Sequence, residues 1–409
     1  MKKLVEITLG ILTAIGAFVD IGDIVASGAT GARFRLTLVW VLVLGTLGIC
    51  LYAEMAGRVA VLSKRAAFDV ARERLGPRIA GVNLAASFTI NLMTLAAEIG
   101  GLAIVIQLAT NLNYIIWIPF CAVAVWIVMW RMKFQTMERT FGLLGLALLV
   151  LLVAVYTTHP DYHAMWQSTT HPWVPSSETH AAYWYWAVSI LGATMTVYEP
   201  FFFSSGAIEE KWDRSDLVVS RTNVYIGFPL GALLSLSLMV LGAHYFAPRG
   251  IEVESLSQDA LPIMAVLGKA GLAFLLLGMF AAFFAAALET GLSAGYIVCQ
   301  FFGWPWGKAV KPREAARFHL IVLATLVVAV LLVLSTADPI KVTEYSIVLV
   351  AVAAPPTYLP LLLAANDPRY VGDKKNKLLS NVLATAFFVI LCIAAIAAIP
   401  LLIITKGGS

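Results

Sequence analysis

Asp20, Gly22 and Asp23 place two carboxylates and a glycine inside a hydrophobic stretch that runs roughly from Leu4 to Ala32. A charge at bilayer depth costs at least ~2.5 kcal/mol, so two acids one turn apart must face a partner, a cavity or a cation instead of lipid. Three residues apart on a helix, they point the same way, and an unwinding at Gly22 adds free backbone carbonyls. A second apolar stretch is interrupted by Gly192-Ala193-Thr194-Met195-Thr196-Val197-Tyr198-Glu199-Pro200. There Pro200 removes a backbone donor and disfavours helix at Glu199, and the β-branched Thr196 and Val197 do not help. The plainer alternative is a proline kink whose carboxylate is satisfied by a neighbour. If the two interruptions face each other, Thr196, Tyr198 and Glu199 add a hydroxyl, a phenol and a third carboxylate to Asp20 and Asp23. Such an oxygen set suits Mg²⁺, Ca²⁺ or Mn²⁺ rather than a soft metal, and a reluctantly dehydrated ion would keep several of its waters.

The elements that must position these residues are membrane helices. The chain has 409 residues, 60% hydrophobic and 13% charged, with a mean hydropathy of +0.86. That composition excludes a water-soluble single-core globule and predicts an all-α polytopic membrane protein. Windows of about twenty residues, the length that crosses ~30 Å of hydrocarbon, give about eleven spans. They lie near 4–32, 36–57, 80–109, 114–130, 140–157, 183–206, 221–246, 262–301, 315–335, 342–364 and 377–404. Of the 28 Lys and Arg residues, 22 fall in connections on one side, and six (Arg33, Arg35, Arg249, Lys269, Lys341 and Lys406) on the other. The bias places the N-terminus in the cytoplasm of a multi-pass plasma-membrane protein and, with an odd number of spans, the C-terminus outside. Met1-Lys2-Lys3 leads directly into a span too long for a cleavable signal.

Five spans followed by five more is the layout of transporters built from two halves of opposite topology, with the substrate between their broken first helices. The expected division is a first repeat at 1–157, an outer loop at 158–182, a second repeat at 183–364, and a final helix with the C-terminus at 365–409. The outer loop carries His159, His163, His171 and His180 without Lys or Arg. It reads either as a metal-collecting segment or, more plainly, as a solvated loop that happens to contain histidine.

The stretch Asp20-Ile21-Gly22-Asp23 through Gly31-Ala32-Arg33-Phe34 resembles the first helix of the Nramp family of divalent metal transporters, whose Asp-Pro-Gly-Asn is followed at the same spacing by Gly-Ala-x-Phe. Weaker matches follow in order: Glu54 to Arg58, Leu95-Ala96 with Ile99-Gly100, Gly192-Ala193-Thr194, and Pro355 and Pro360 with Leu361 to Leu363. The resemblance implies an eleven-helix, leucine-transporter-type 5+5 inverted repeat with helices 1 and 6 broken, moving its cargo by alternating access. The departures narrow the cargo. Asp23 stands where the family has Asn. The family's Met-Pro-His falls on Thr196-Val197-Tyr198, or, aligned on Pro200, its Met falls on Glu199; either way sulfur is replaced by oxygen. The family's relay carboxylates fall on Thr94 and Ala97, and its two helix-six histidines on Tyr198 and Phe203. Glu98 is one residue away, either a displaced substitute or a buried acid. Loss of both features resembles the Nramp-related magnesium transporters.

Three readings follow. The first is an uncoupled transporter of Mg²⁺, with Mn²⁺ as a further cargo, using Asp20, Asp23, Thr196, Tyr198 and Glu199; trivalent Al³⁺ stays open because the local charge approaches −3. The second is a cation-coupled carrier of an amino acid or similar solute, opposed by the carboxylates that would repel its acid group. The third is a transport-inactive metal sensor. No phosphate loop, nucleophile elbow or metalloprotease helix is present, so no enzyme, resident cofactor or nucleic-acid partner is expected, and the transport unit is expected to be a monomer. Cys50, Cys121, Cys299 and Cys392 read as core thiols, Glu54 and Arg58 as a helix-surface ion pair, and Glu289 as a vestibule acid or the partner of a basic neighbour. Gly10, Gly16, Gly28 and Gly31 allow close helix approach.

Overall fold

The computed structural model describes residues 8, 10–12, 14–15, 18–335 and 338–408. Residues 1–7, Leu9, Thr13, Gly16 and Ala17, up to and within the first expected span, lie outside the described residues. The molecule is helical throughout: α1 (Ile21–Phe34), α2 (Val39–Ser63), α3 (Ala67–Thr110), α4 (Tyr114–Arg131), α5 (Phe134–Thr158), α6 (His180–Thr194), α7 (Tyr198–Glu209), α8 (Leu217–Arg249), α9 (Leu256–Phe302), α10 (Ala316–Leu334), α11 (Pro339–Ala364) and α12 (Leu378–Ile404). Among the described residues nine of these are long and apolar enough to cross a membrane. The other three, α1, α6 and α7, belong to the two stretches that the sequence reads as interrupted.

Several boundaries move. The connection expected at 58–79 is mostly helix, because α2 runs on to Ser63 and α3 starts at Ala67, where Asp69 accepts a hydrogen bond from the Ala66 backbone N–H. The turn into the third span comes at Gly76, whose φ of +73° only glycine adopts cheaply, followed by Pro77. The long eighth span divides in the same way at Gly268 (φ +65°), so its first part is a separate helix from Leu256. The fifth span begins at Phe134 and tightens into a 3-10 turn at Leu146–Leu149. Within the outer loop, Asp161 caps a short helix, Tyr162–Thr170.

Buried apolar residues form two large clusters, one around α2, α6, α11 and α12, the other around α3, α4, α5, α9 and α10. α1 lies between them and is held closest to α8. A Cβ added at Gly31 would stand 2.2 Å from the Met239 carbonyl oxygen, and one at Gly242 would stand 2.9 Å from the Gly28 carbonyl. Small residues at these positions let the two backbones touch. Gly10 likewise abuts Asn223. Glu54 and Arg58 do pair, at 2.9 Å, but the pair is buried rather than on a helix surface, since Arg221 joins Glu54 at 2.9 Å and Arg58 also donates to Asn376. The four cysteines are free thiols; Cys50, Cys121 and Cys299 are buried and Cys392 is partly so.

Candidate metal centre

The first break lies at Phe18–Asp20, just before α1, and not at Gly22. Gly22 belongs to the first turn of α1, where its missing side chain has another use: a Cβ there would stand 3.0 Å from Asp20 Oδ1 and 2.9 Å from Ile347. Asp20 can therefore fold back over the helix end, and its Oδ1 accepts from the Asp23 N–H at 2.9 Å. Its Oδ2 accepts from the Tyr198 hydroxyl at 2.9 Å, which joins the first break to the start of α7. The Ile21 N–H, another unpaired donor of the helix start, donates to Glu98 Oε1 at 3.2 Å. Glu98 is fully buried on α3, and its Oε2 has no hydrogen-bond partner among the described residues.

The second break is at Met195–Val197, between α6 and α7. Glu199 and Pro200 are in the first turn of α7, where a proline's absent N–H is not missed, so the proline follows the break and does not cause it. The free carbonyls of Met195 and Thr196 both accept from one group, the Tyr358 hydroxyl of α11, at 3.2 and 3.0 Å. Ser293 of α9 donates to the Tyr198 carbonyl at 3.3 Å.

Between the breaks is a cavity of about 50 Å³. All five residues read from the sequence, Asp20, Asp23, Thr196, Tyr198 and Glu199, line it, and Glu289 of α9 makes a fourth carboxylate there. Asp20 and Asp23 are each 3% exposed. Among the described residues no Lys, Arg or His lines the cavity. Met195 sits in the second break, but its sulfur turns away to pack where a Cβ on Gly48 would be, so every polar side chain at the cavity offers oxygen. Ser235 of α8 faces Asp23 from the side. Among the described residues no three His, Cys, Asp or Glu side chains converge closely enough to hold an ion by themselves, either here or among the outer-loop histidines. The acids are spread around the cavity, an arrangement suited to an ion that keeps part of its water shell.

A larger cavity, of about 340 Å³, shares Glu199, Phe228 and Glu289 with the first and continues between α5, α7 and α8 past Glu138 and Glu210 to Arg139. It reaches the side that carries most of the basic connections. Glu289 is thus a vestibule acid, facing both spaces. The positions expected for a relay are neutral: Thr94 shares a hydrogen bond with Ser346 at 2.9 Å, Ala97 is apolar, and Phe203 packs on Trp212. Tyr358, Ser235 and Ser293 gave no signal in the sequence, because a single hydroxyl in an apolar helix does not reveal which neighbour it meets.

The family model described as natural resistance-associated macrophage protein-like, Nramp, matches residues 10–400. Divalent metal cation transporters MntH of Staphylococcus saprophyticus and Staphylococcus haemolyticus are each 25% identical to the chain, over 94% and 93% of it and 89% and 88% of their own lengths. The manganese transporter of Eremococcus coleocola superposes with a TM-score of 0.73 at 18% identity, covering 98% of this chain and 92% of that one. The nucleobase-cation-symport-1 transporter Mhp1, in a closed conformation, gives a TM-score of 0.60 at 15% identity over 97% and 92% of the two chains.

Proposed function

The chain belongs to the Nramp family, and from that premise we propose that it carries hard divalent cations, Mg²⁺ and also Mn²⁺, across the plasma membrane by alternating access without proton coupling. The similarity to divalent metal cation transporters MntH and to a manganese transporter supports a metal cargo. The observation that carries the reading is the cavity with four carboxylates, no basic partner and only oxygen donors. Buried like charges are sustained when a cation neutralises them, and the absence of sulfur removes the preference for softer metals.

Size argues against an organic solute. A volume of about 50 Å³ accommodates roughly three to five water-sized species, whereas small-molecule pockets run from about 300 Å³ upward. Asp20 and Asp23 would hold the partly hydrated ion, with Thr196, Tyr198 and Glu199 completing its shell, and the Glu138–Glu289 vestibule would lead it to the cytoplasm under the orientation set by the basic connections. With neutral residues at Thr94, Ala97 and Phe203, entry would be driven by gradient and potential; for a divalent ion, 100 mV contributes 2 × ~2.3 kcal/mol inward.

The experiment is Mg²⁺ and Mn²⁺ uptake into proteoliposomes with internal pH followed in parallel, for the chain and for Asp20→Ala. Entry of both ions, abolished in the variant and without acidification, is the expected result. Acidification that tracks metal entry would instead mean that Glu98 or another group carries protons, and absence of any metal flux would overturn the reading.

A further inference from the structure

A third cavity, of about 340 Å³, lies between α4, α9 and α10 and shares no lining residue with the two ion cavities. Its inner wall is apolar: Met129 of α4, Leu292 of α9, and Phe318 and Val322 of α10, of which Phe318 is fully buried. Its outer lip is also apolar, formed by Trp130, Leu320 and Leu323, which are 51%, 66% and 36% exposed. Such a groove, on the flank of a membrane bundle, opens onto lipid chains and not onto water.

One end of the groove is cationic. Lys308 and His319 line it; the Lys308 ammonium is bonded to the Met132 carbonyl and His319 Nε2 lies 3.0 Å from the Val310 carbonyl, so the connection after α9 is fastened to the end of α4. The Arg131 guanidinium lies over the Trp130 ring, 5.1 Å from its centroid, and Arg317 lies 4.4 Å from that of Trp304. Trp126 and Trp130 stack at 5.4 Å, a pair suited to the headgroup level. Lys311 and Arg313 stand in the same connection with one acid, Glu314, and the Glu209 carboxylate accepts from the Lys308 and Ala309 N–H groups at 2.6 and 3.0 Å.

We propose that this groove binds one anionic phospholipid from the leaflet on the basic face, with an acyl chain along Leu292, Phe318 and Val322 and the phosphate at the end lined by Lys308, beside Arg131 and Arg317, the chain neighbours of the lining residues Trp130 and Phe318. Basic pockets between helices at that depth are where anionic headgroups bind, and a neutral lipid would leave the end charges unmatched. Leu292 is three residues from Glu289 on α9, under one helical turn, so the lipid packs against the helix that carries a carboxylate to the ion cavity.

Native mass spectrometry of the purified chain, titrated with phosphatidylglycerol and with phosphatidylcholine of the same acyl chains, tests it. Phosphatidylglycerol is retained several-fold more than phosphatidylcholine. The pair Arg131→Gln/Arg317→Gln, both exposed residues, lowers its retention to the level of phosphatidylcholine and leaves phosphatidylcholine unchanged. Lys374→Gln/Lys375→Gln, at a separate basic cluster, leaves both unchanged, and Leu323→Trp, which fills the groove, removes both. Equal retention of the two lipids by the parent chain, or equal loss from the two double variants, would overturn the proposal. Melting temperatures confirm folding; should Leu323→Trp not fold, the surface arginine pair decides alone. None of these readouts depends on which cation is carried.

Discussion

The two broken helices solve opposite problems. At the first, α1 begins and leaves backbone N–H groups to satisfy, and acids do it: Asp20 takes the Asp23 N–H and Glu98 takes that of Ile21. At the second, α6 ends and leaves carbonyls, and a neutral phenol, Tyr358, takes two of them. The helix dipoles require this, because an N-terminus attracts negative charge and a C-terminus repels it. The first break therefore carries two of the centre's carboxylates, Asp20 and Asp23, while the second contributes one, Glu199 in the first turn of α7, beside dipolar oxygens. The lesson is that charge-altering substitutions should act mostly through the first break, and geometry-altering ones through the second.

The largest effect is expected from Asp20→Ala, which removes a carboxylate, a helix cap worth ~1 kcal/mol and the partner of Tyr198 together; metal uptake by proteoliposomes falls to background. Asp23→Asn keeps the shape and deletes one charge. It should raise KM for Mg²⁺ about tenfold, equivalent to ~1.4 kcal/mol, with residual transport; an unchanged KM would show that Asp23 does not contact the ion. Glu98→Ala leaves the buried Ile21 N–H without an acceptor, a loss of ~1–3 kcal/mol visible as a lower melting temperature, and Glu98→Gln, which keeps a carbonyl oxygen, restores most of it. If Ala and Gln behave alike, the N–H bond contributes nothing. Tyr358→Phe should be mildest, lowering stability by ~0.5–1.5 kcal/mol and uptake a few-fold, with the ratio of Mg²⁺ to Mn²⁺ transport unchanged. A changed ratio would place a charge role at the second break and dissolve the contrast.

Much of this was legible in the residues because membrane depth makes polarity conspicuous. Asp20, Asp23 and Glu199 stand out from apolar surroundings, and Thr196 and Tyr198 follow by proximity to the break. The local geometry was less visible. Gly22 reads as the point of unwinding, yet it allows Asp20 to fold back, and Pro200 reads as the breaker, yet it sits in a first turn that tolerates it. Both misplacements come from treating a residue's intrinsic preference apart from its place at a helix end. Glu54 and Arg58 show the same limit: an i,i+4 spacing reveals a pair but not the Arg221 and Asn376 that bury it. Glu289 was seen as an acid at depth, while its position between two cavities depends on how α9 is rotated, which an all-round apolar helix does not encode.

The contact between α1 and α8 has a mechanical consequence. With Gly31 against the Met239 carbonyl and Gly242 against Gly28, no side chain cushions the two backbones. Side chains are what let neighbouring helices slide, by changing rotamer as they pass, and at these two points there are none to change. Two segments separated by some two hundred residues of sequence should therefore behave as a single stiff beam. When the ion centre rocks, the Asp23 and Ser235 faces travel together, and the slack that alternation requires has to be found at the beam's ends.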